Sequence, residues 1–153
     1  TIVAGRWASK VIKYFEDFTG TGLVTGTTLQ AQEHQVLLIS TYWPIKPTTT
    51  PDNNQLWNKM ARHLKAHKIQ NSPLEFIKHT IQERLRKHIN GKPDNIALLV
   101  GDLNSTWGTT AAGGCHRGLE SWAGSIAMSN PLHSLSLATS NRLYTHWIGH
   151  NIL

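Results

Sequence analysis

Two polar side chains directly follow an apolar run near the middle of the chain. Asp102 and Asn104 come after residues 96–100 (IALLV) and Gly101, with one apolar residue between them. Because side chains alternate along a strand, both groups point to one face if the extended conformation continues. A carboxylate and a carboxamide at a strand end can bind a metal ion, a water molecule or a phosphate. The alternative is a turn, since Asp and Asn side chains also bond to nearby backbone amides.

A tyrosine occupies the matching position on an earlier predicted strand. Residues 23–30 and 35–43 are two β-type runs, and the short polar connection between them predicts an antiparallel hairpin. Pro44 ends the second run, because proline cannot donate to a ladder. Tyr42 therefore lies at the carboxyl end of its strand, as Asp102 does on the later one. The alternative to a functional phenol is a tyrosine that only packs on the sheet.

The elements that must position these groups are predicted from local patterns. The unbroken apolar run at residues 96–100 predicts a strand covered on both faces. Residues 7–18 have no clean period and are predicted to be irregular. A short helix is predicted over residues 118–128, and residues 132–137 and 142–148 are strand candidates. Helices and strands that alternate unevenly after a hairpin predict a mixed, layered α/β domain.

Two helices are predicted between the tyrosine strand and the aspartate strand. Asp52 is the expected cap of the first, with Gln55 as its capping-box partner, and an apolar stripe follows at every fourth residue (Leu56, Met60, Leu64). The second has Ser72 as cap, Pro73 as first helical residue and Glu75 as capping-box acid. Its stripe is Leu74, Ile77, Ile81, Leu85 and Ile89, and Gly91 supplies the stop. Its opposite face is basic, which indicates a solvated surface or a nucleic-acid contact.

Composition narrows the class of protein. A chain of 153 residues fits one domain, and 39% hydrophobic residues with a mean hydropathy of −0.31 indicate a soluble globular protein. No apolar run approaches the ~20 residues of a membrane span, so no membrane partner is expected. The net charge of +6 favours a polyanionic partner. Cys115 is the only cysteine, which leaves no disulfide partner and indicates a reducing, intracellular compartment.

Three segments carry a resemblance to a known superfamily. Residues 100–104 (VGDLN) resemble the GDxN motif of the endonuclease/exonuclease/phosphatase superfamily, whose members include DNase I. Residues 39–44 (ISTYWP) are similar to its strand that ends in Tyr-x-Pro. Residues 144–147 (YTHW) resemble the Thr-x-Trp strand of non-LTR retrotransposon endonucleases. The resemblance implies part of a DNase I-like four-layer α/β sandwich with mixed, mainly antiparallel sheets.

The resemblance also implies a reaction, which is Mg²⁺- or Mn²⁺-dependent hydrolysis of a DNA phosphodiester. In that reaction Asp102 would orient or deprotonate the attacking water, and Asn104 would position the scissile phosphate or Asp102. Tyr42 would hydrogen-bond a phosphate oxygen. DNA would be the partner, a reverse transcriptase domain would belong to the same parent polypeptide, and the nucleus would be the location.

The chain departs from the family pattern at both ends. Family members supply an Asn and a metal-binding Glu in their first half and an Asp-His pair on their last strand. Here the first residue falls after the expected Asn and Glu, and no Asp precedes His150. Residues 1–153 are therefore interpreted as one incomplete domain, inactive or nearly so on its own, with its metal ligand unknown. Neither His146 nor His150 is assigned as catalytic.

Two other functions remain open. The positive charge and the missing ligands also fit a nonenzymatic nucleic-acid-binding module. A phosphoesterase of the same fold could instead act on a small molecule or a phosphoinositide.

Overall fold

The computed structural model describes residues 3–47, 55–90, 92, 94–105 and 118–128. The chain divides into two compact units, Thr1–Asn104 and Ser105–Leu153. The first unit begins with a short 3-10 helix, Gly5–Lys10, and continues with strands β1 (Val11–Glu16), β2 (Val24–Ala31) and β3 (His34–Tyr42), helices α1 (Leu56–Ala66) and α2 (Pro73–Ile89), and strand β4 (Ile96–Asp102). The described part of the second unit holds one helix, α3 (Leu119–Ser125).

The strands of the first unit form a four-stranded mixed sheet in the order β1-β2-β3-β4. β2 and β3 are antiparallel, with Val24 opposite Thr41 and Ala31 opposite His34, which confirms the predicted hairpin. β4 is parallel to β3, and such a pair needs a crossover connection, which α1 and α2 provide. A mixed sheet with helices confirms the predicted α/β class. No described helix combines the length and apolar character needed to cross a membrane.

Helix α2 begins as its sequence predicts. The Ser72 backbone N–H donates to Glu75 Oε2 at 2.9 Å, and the Glu75 backbone N–H donates to Ser72 Oγ at 3.4 Å. Pro73 is the first helical residue, where its missing N–H costs nothing. The helix ends at Ile89, with Asn90 as its C-cap. The predicted stop at Gly91 lies outside the described residues.

The core of the first unit lies on one face of the sheet. Ile77 and Ile81 of α2 are fully buried, and Leu37 and Ile39 of β3 are buried as well. Helix α2 contacts β2, β3, β4 and α1. The buried side chains of α1 are Met60 and Leu64, both from its predicted stripe, whereas Leu56 is exposed. Of the predicted α2 stripe, Ile77, Ile81 and Leu85 are buried, whereas Ile89 is 40% exposed, and the buried Phe76 was not part of the predicted stripe.

The structure corrects the prediction that residues 7–18 are irregular. They contain most of the 3-10 helix and all of β1, which pairs with β2 in antiparallel fashion. Among the described strands β1 lies at the edge of the sheet, and its exposed side chains include Ile12 and Tyr14, which are 53% and 63% exposed. Apolar residues on both faces hide the alternation by which a half-buried strand is recognised.

The structure also corrects the prediction that β4 is covered on both faces. Ile96, Leu98 and Val100 are 51%, 50% and 47% exposed, while Ala97 and Leu99 are only partly exposed. An unbroken apolar run shows that both faces are apolar, and it does not show what covers each face. Within the described residues β4 is an edge strand rather than a central one.

The predicted start of α1 is wrong. The helix begins at Leu56, and Gln55 is its N-cap residue without a side-chain cap hydrogen bond, so it is not a capping-box partner. Asp52 lies outside the described residues. The predicted helix at residues 118–128 is confirmed as the shorter α3. The strand candidates at residues 132–137 and 142–148, together with Cys115, His146 and His150, lie outside the described part of the chain.

Candidate active site

Tyr42 and Asp102 lie side by side at the ends of the parallel strands. Their Cα atoms are partners in the register of β3 and β4, seven pairs that run from Val36 and Ile96 to Tyr42 and Asp102. Directly paired residues on neighbouring strands project from the same face of a sheet. Tyr42 is 37% exposed, and Asp102 is exposed too. The phenol and the carboxylate therefore share one solvent-accessible face, which is the face opposite α2.

Asp102 and Asn104 are joined by a turn. Asn104 has a φ of 43°, and its backbone N–H donates to Asp102 Oδ1 at 3.0 Å. The extended conformation thus stops at Asp102, so strand alternation does not bring the Asn104 side chain to the same face. Asp102 Oδ2 receives no hydrogen bond from any other described residue. The turn holds the carboxylate by one oxygen and leaves the other for a water molecule, so turn and site are compatible.

The Asn104 side chain ties the ends of β3 and β4 together. Its Nδ2 donates to the Trp43 carbonyl oxygen at 2.8 Å, and the Trp43 N–H donates to the Asp102 carbonyl oxygen at 2.9 Å. This hydrogen bond uses one of the two N–H donors of the Asn104 amide and fixes the side chain, so both predicted roles, positioning Asp102 or a phosphate, stay predictions. Trp43 itself is fully buried, so the carbonyl group to which Asn104 is bonded is held in place.

Gly101 lets the two strands meet at this position. Its φ is +140°, which L side chains rarely adopt, and a Cβ built on it would overlap the Thr41 carbonyl oxygen. The glycine therefore permits the β3–β4 pairing immediately before Asp102. The sequence showed this glycine as part of the GDxN resemblance, but its structural reason appears only in the register.

The β1–β2 connection supports the same end of the sheet, and this role of the connection was not predicted. The Leu23 carbonyl oxygen accepts the Tyr42 N–H at 3.1 Å and the Thr41 Oγ1–H at 2.9 Å. The connection is built on Asp17, whose carboxylate accepts hydrogen bonds from the hydroxyls and backbone amides of Thr19 and Thr21. The spacing Asp-x-Thr-x-Thr is good turn chemistry and was the available signal.

Asp17 remains charged although it is almost fully buried. Burial raises the pKa of its carboxyl group, but the hydrogen bonds from Thr19 and Thr21 outweigh burial and leave the pKa below the ordinary value of 3.8. His63 of α1 touches this connection through Nε2, 2.9 Å from the Thr19 carbonyl oxygen. Asp17 therefore has a structural role, because its oxygens are already used.

The described residues do not by themselves fit a resident Mg²⁺ ion. Such an ion usually takes one or two carboxylates together with waters and phosphate oxygens. At the paired ends of β3 and β4 the available carboxylate is Asp102, and its Oδ1 is engaged by Asn104. In the described part of the chain no group of three His, Cys, Asp or Glu side chains could hold a metal ion. The Mg²⁺ or Mn²⁺ requirement thus stays a prediction.

Comparisons of the chain with protein-family models, curated proteins and solved structures found no match. The site is therefore interpreted from its own geometry and from the motif resemblance. That geometry consists of an exposed phenol and an exposed carboxylate in register, with an amide that fixes the carboxylate. Such a set can bind a phosphate oxygen and orient a water molecule beside it.

Proposed function

We propose that this chain contributes the water-activating part of a phosphodiesterase site that acts on DNA, as in DNase I-like endonucleases of the retrotransposon type. The observation that carries the proposal is the pairing of Tyr42 with Asp102 across β3 and β4. A phenol that can donate to a phosphate oxygen and a carboxylate that can accept a proton from water are exposed on the same face. The turn to Asn104 fixes the orientation of the carboxylate.

The groups have separate roles in hydrolysis. Asp102 Oδ2 accepts a proton from the water that attacks phosphorus, the bond from phosphorus to the leaving sugar oxygen breaks, and that oxygen takes a proton from solvent water. The Tyr42 hydroxyl donates to a non-bridging phosphate oxygen, where negative charge develops. Asn104 keeps Oδ1 of Asp102 occupied, so that Oδ2 is the oxygen that meets the water. A divalent cation would offset phosphate charge in this chemistry, and its ligands are not among these residues.

The proposed fold is the four-layer sandwich of that superfamily. The support for this fold is that the two faces of the sheet differ in what covers them. Helix α2 covers one face, whereas the other exposes apolar side chains of two edge strands, namely Tyr14, Ile96, Leu98 and Val100. In a sandwich of this kind a second sheet covers such a face.

The direct test is a plasmid-nicking assay with Mg²⁺ and, separately, Mn²⁺. The 153-residue chain is expected to nick slowly or not at all, because the described site supplies a single solvent-facing carboxylate. Any metal-dependent nicking should disappear in Asp102→Asn. Robust nicking that survives Asp102→Asn would contradict the proposed site. Robust nicking that Asp102→Asn abolishes would support the site and refute the expected inactivity.

A binding experiment tests the site even if the chain does not turn over. A thymidine dinucleotide, which contains one phosphodiester, is titrated while backbone amide NMR shifts are followed. The proposal expects shifts at Tyr42 and residues 101–105 that weaken in Tyr42→Phe. Tyr14→Phe is the matched control, since it removes an exposed hydroxyl from another strand of the sheet. Equal weakening by both changes would argue against a Tyr42 contact.

A nonenzymatic nucleic-acid-binding module is the second candidate. The observation that favours it is the exposed cationic surface at the C-terminal end of α2, where Arg86 and Lys87 project to solvent. This function predicts DNA binding that weakens steeply with salt and is unchanged in Asp102→Ala and Asn104→Ala. Binding that depends on Asp102 or Asn104 would instead favour the phosphodiesterase.

A further inference from the structure

The described residues line a basic cavity that is partly open to solvent and lies far from Tyr42 and Asp102. It has a volume of about 220 Å³ and lies between β1, the start of β3 and the C-terminal half of α2. Gln35 lines the cavity and is seven positions from Tyr42 on β3, a span of about 23 Å along an extended strand. The cavity also faces the helix side of the sheet. It is therefore separate from the candidate active site.

Cationic residues from three segments line this cavity. Lys13 comes from β1, Arg84 and Lys87 from α2, and Lys92 from the connection after α2. None of the described residues that line it is acidic. The macrodipole of α2 favours cations near its C-terminus, and this accounts for Lys87. The macrodipole does not account for Lys13, which is on a strand. The positive charge around the cavity is therefore larger than the helix C-terminus alone explains.

One of these cations is held in place, and a buried hydroxyl without a hydrogen-bond partner among the described residues lies beside it. The Arg84 guanidinium carbon lies 4.6 Å from the centroid of the Phe15 ring, so stacking holds its planar fork. Thr28 is only 8% exposed and lines the cavity, and its hydroxyl forms no hydrogen bond with another described residue. His88 secures the wall, with Nε2 3.2 Å from the Gln35 carbonyl oxygen. A ligand would thus meet a guanidinium that is already held in place and a hydroxyl that is free to turn toward it.

We propose that this cavity binds the phosphate group of a small phosphate monoester. A phosphate monoester carries close to two negative charges and three terminal oxygens, which suit an arginine fork, lysines and a hydroxyl. The volume is below the roughly 300–1,000 Å³ of pockets for drug-sized ligands, so a compact group fits. Phe15 and Leu37 supply an apolar wall for the ester carbon. The inference does not depend on the proposed phosphodiesterase.

The same cations could instead touch the backbone of a DNA duplex. A duplex would meet the exposed Lys87 and Lys92 from outside, whereas Thr28 is too deeply buried for such a contact. Dependence of binding on Thr28 therefore separates a small phosphate ester in the cavity from a nucleic acid on the surface.

The test titrates adenosine monophosphate into the 153-residue chain at constant ionic strength, followed by calorimetry and by backbone amide NMR shifts. We expect saturable binding with shifts at Thr28, Gln35 and Lys87. Lys87→Gln should weaken binding about tenfold, because it removes one charge-assisted hydrogen bond. Arg86→Gln is the matched control: it removes the same charge from the adjacent residue of α2, which does not line the cavity, and should leave affinity unchanged.

Thr28→Val keeps the shape and charge of the cavity and should weaken binding severalfold, while the thermal unfolding curve checks that the variant folds. Inorganic phosphate is titrated in parallel, and binding as tight as that of adenosine monophosphate means that the phosphate group alone is recognised. Absence of saturable binding, or equal weakening by Arg86→Gln and Lys87→Gln, would overturn the proposal. The proposal would also be overturned if the chain bound neither adenosine monophosphate nor inorganic phosphate but bound duplex DNA, and Lys87→Gln weakened that binding.

Discussion

At the scale of single residues, Asp102 and Asn104 show that a turn and a functional site need not be alternatives. The backbone N–H of Asn104 occupies one oxygen of Asp102, and the Asn104 amide bonds to the end of β3. This arrangement costs the carboxylate one acceptor site and gives it a fixed direction. From the sequence alone the two interpretations are alternatives, because the site interpretation requires a strand that continues beyond Asp102.

Gly101→Ala tests the close approach beside the site. We expect a loss of stability of about 3 kcal/mol or more, since the change combines an unfavourable φ with overlap at the Thr41 carbonyl oxygen. Gly22→Ala is the control, because Gly22 has a φ of +70° but open space around its Cβ position. It should lose only about 1–2 kcal/mol. Urea unfolding measures the stability of both variants. Equal losses of stability would mean that β3 and β4 do not approach closely at Gly101.

Asp17→Asn tests the buried turn that supports Tyr42. The carboxylate accepts hydrogen bonds from two hydroxyls and two backbone amides, so we expect a loss of about 2–3 kcal/mol at neutral pH in urea unfolding. Glu16→Gln, which changes an exposed acid next to it in β1, should change stability little. A loss as large in Glu16→Gln would show that general charge, not the turn, is responsible.

The pH dependence of Asp17 has a defined sign. Its pKa is lower in the folded protein than the ordinary value of 3.8, so its contribution to stability is complete above about pH 4. The contribution falls as the pH drops through the lower folded pKa. The stability difference between the natural chain and Asp17→Asn should therefore narrow below about pH 4. A difference that stays constant from pH 7 into this acidic range would contradict the assignment.

At the scale of elements, the sequence predicted those helices and strands that depend on local signals such as caps and apolar stripes. The capping box at Ser72 and Glu75 and the stripe of Ile77, Ile81 and Leu85 fixed where α2 begins and which side it buries. The hairpin followed from two β-type runs with a short connection. β1 was missed because an edge strand with apolar residues on both faces has no visible alternation, so its existence depends on pairing with β2.

Ser72→Ala tests how far the capping box specifies α2. Loss of the side-chain acceptor for the Glu75 N–H should cost about 1 kcal/mol in urea unfolding. Ser72→Asp keeps a cap acceptor near the positive end of the helix dipole and should retain most of the stability. If Ser72→Asp lost as much stability as Ser72→Ala, the Ser72 hydroxyl would contribute to stability for a reason other than capping.

At the scale of the whole molecule, the sequence could not show which strands are neighbours or what covers each face. The motif resemblance put Tyr42 and Asp102 in one reaction, and the structure supplies the reason they can meet, which is the parallel register of β3 and β4. That register links residues 60 positions apart and has no local signature. The basic cavity likewise combines Lys13 with Arg84 and Lys87, which only the packing of α2 on the sheet brings together.

The two faces of the sheet give the last prediction. Leu98 is 50% exposed and Leu37 is 3% exposed on the neighbouring strand, so one residue type occupies both environments. Leu37→Thr should cost about 2–4 kcal/mol, since it removes buried methyl groups and places a hydroxyl in the core, whereas Leu98→Thr should cost under about 1 kcal/mol. Urea unfolding of both variants measures the difference. A loss in Leu98→Thr as large as that in Leu37→Thr would show that the β4 face is covered in solution, because only a buried leucine contributes so much.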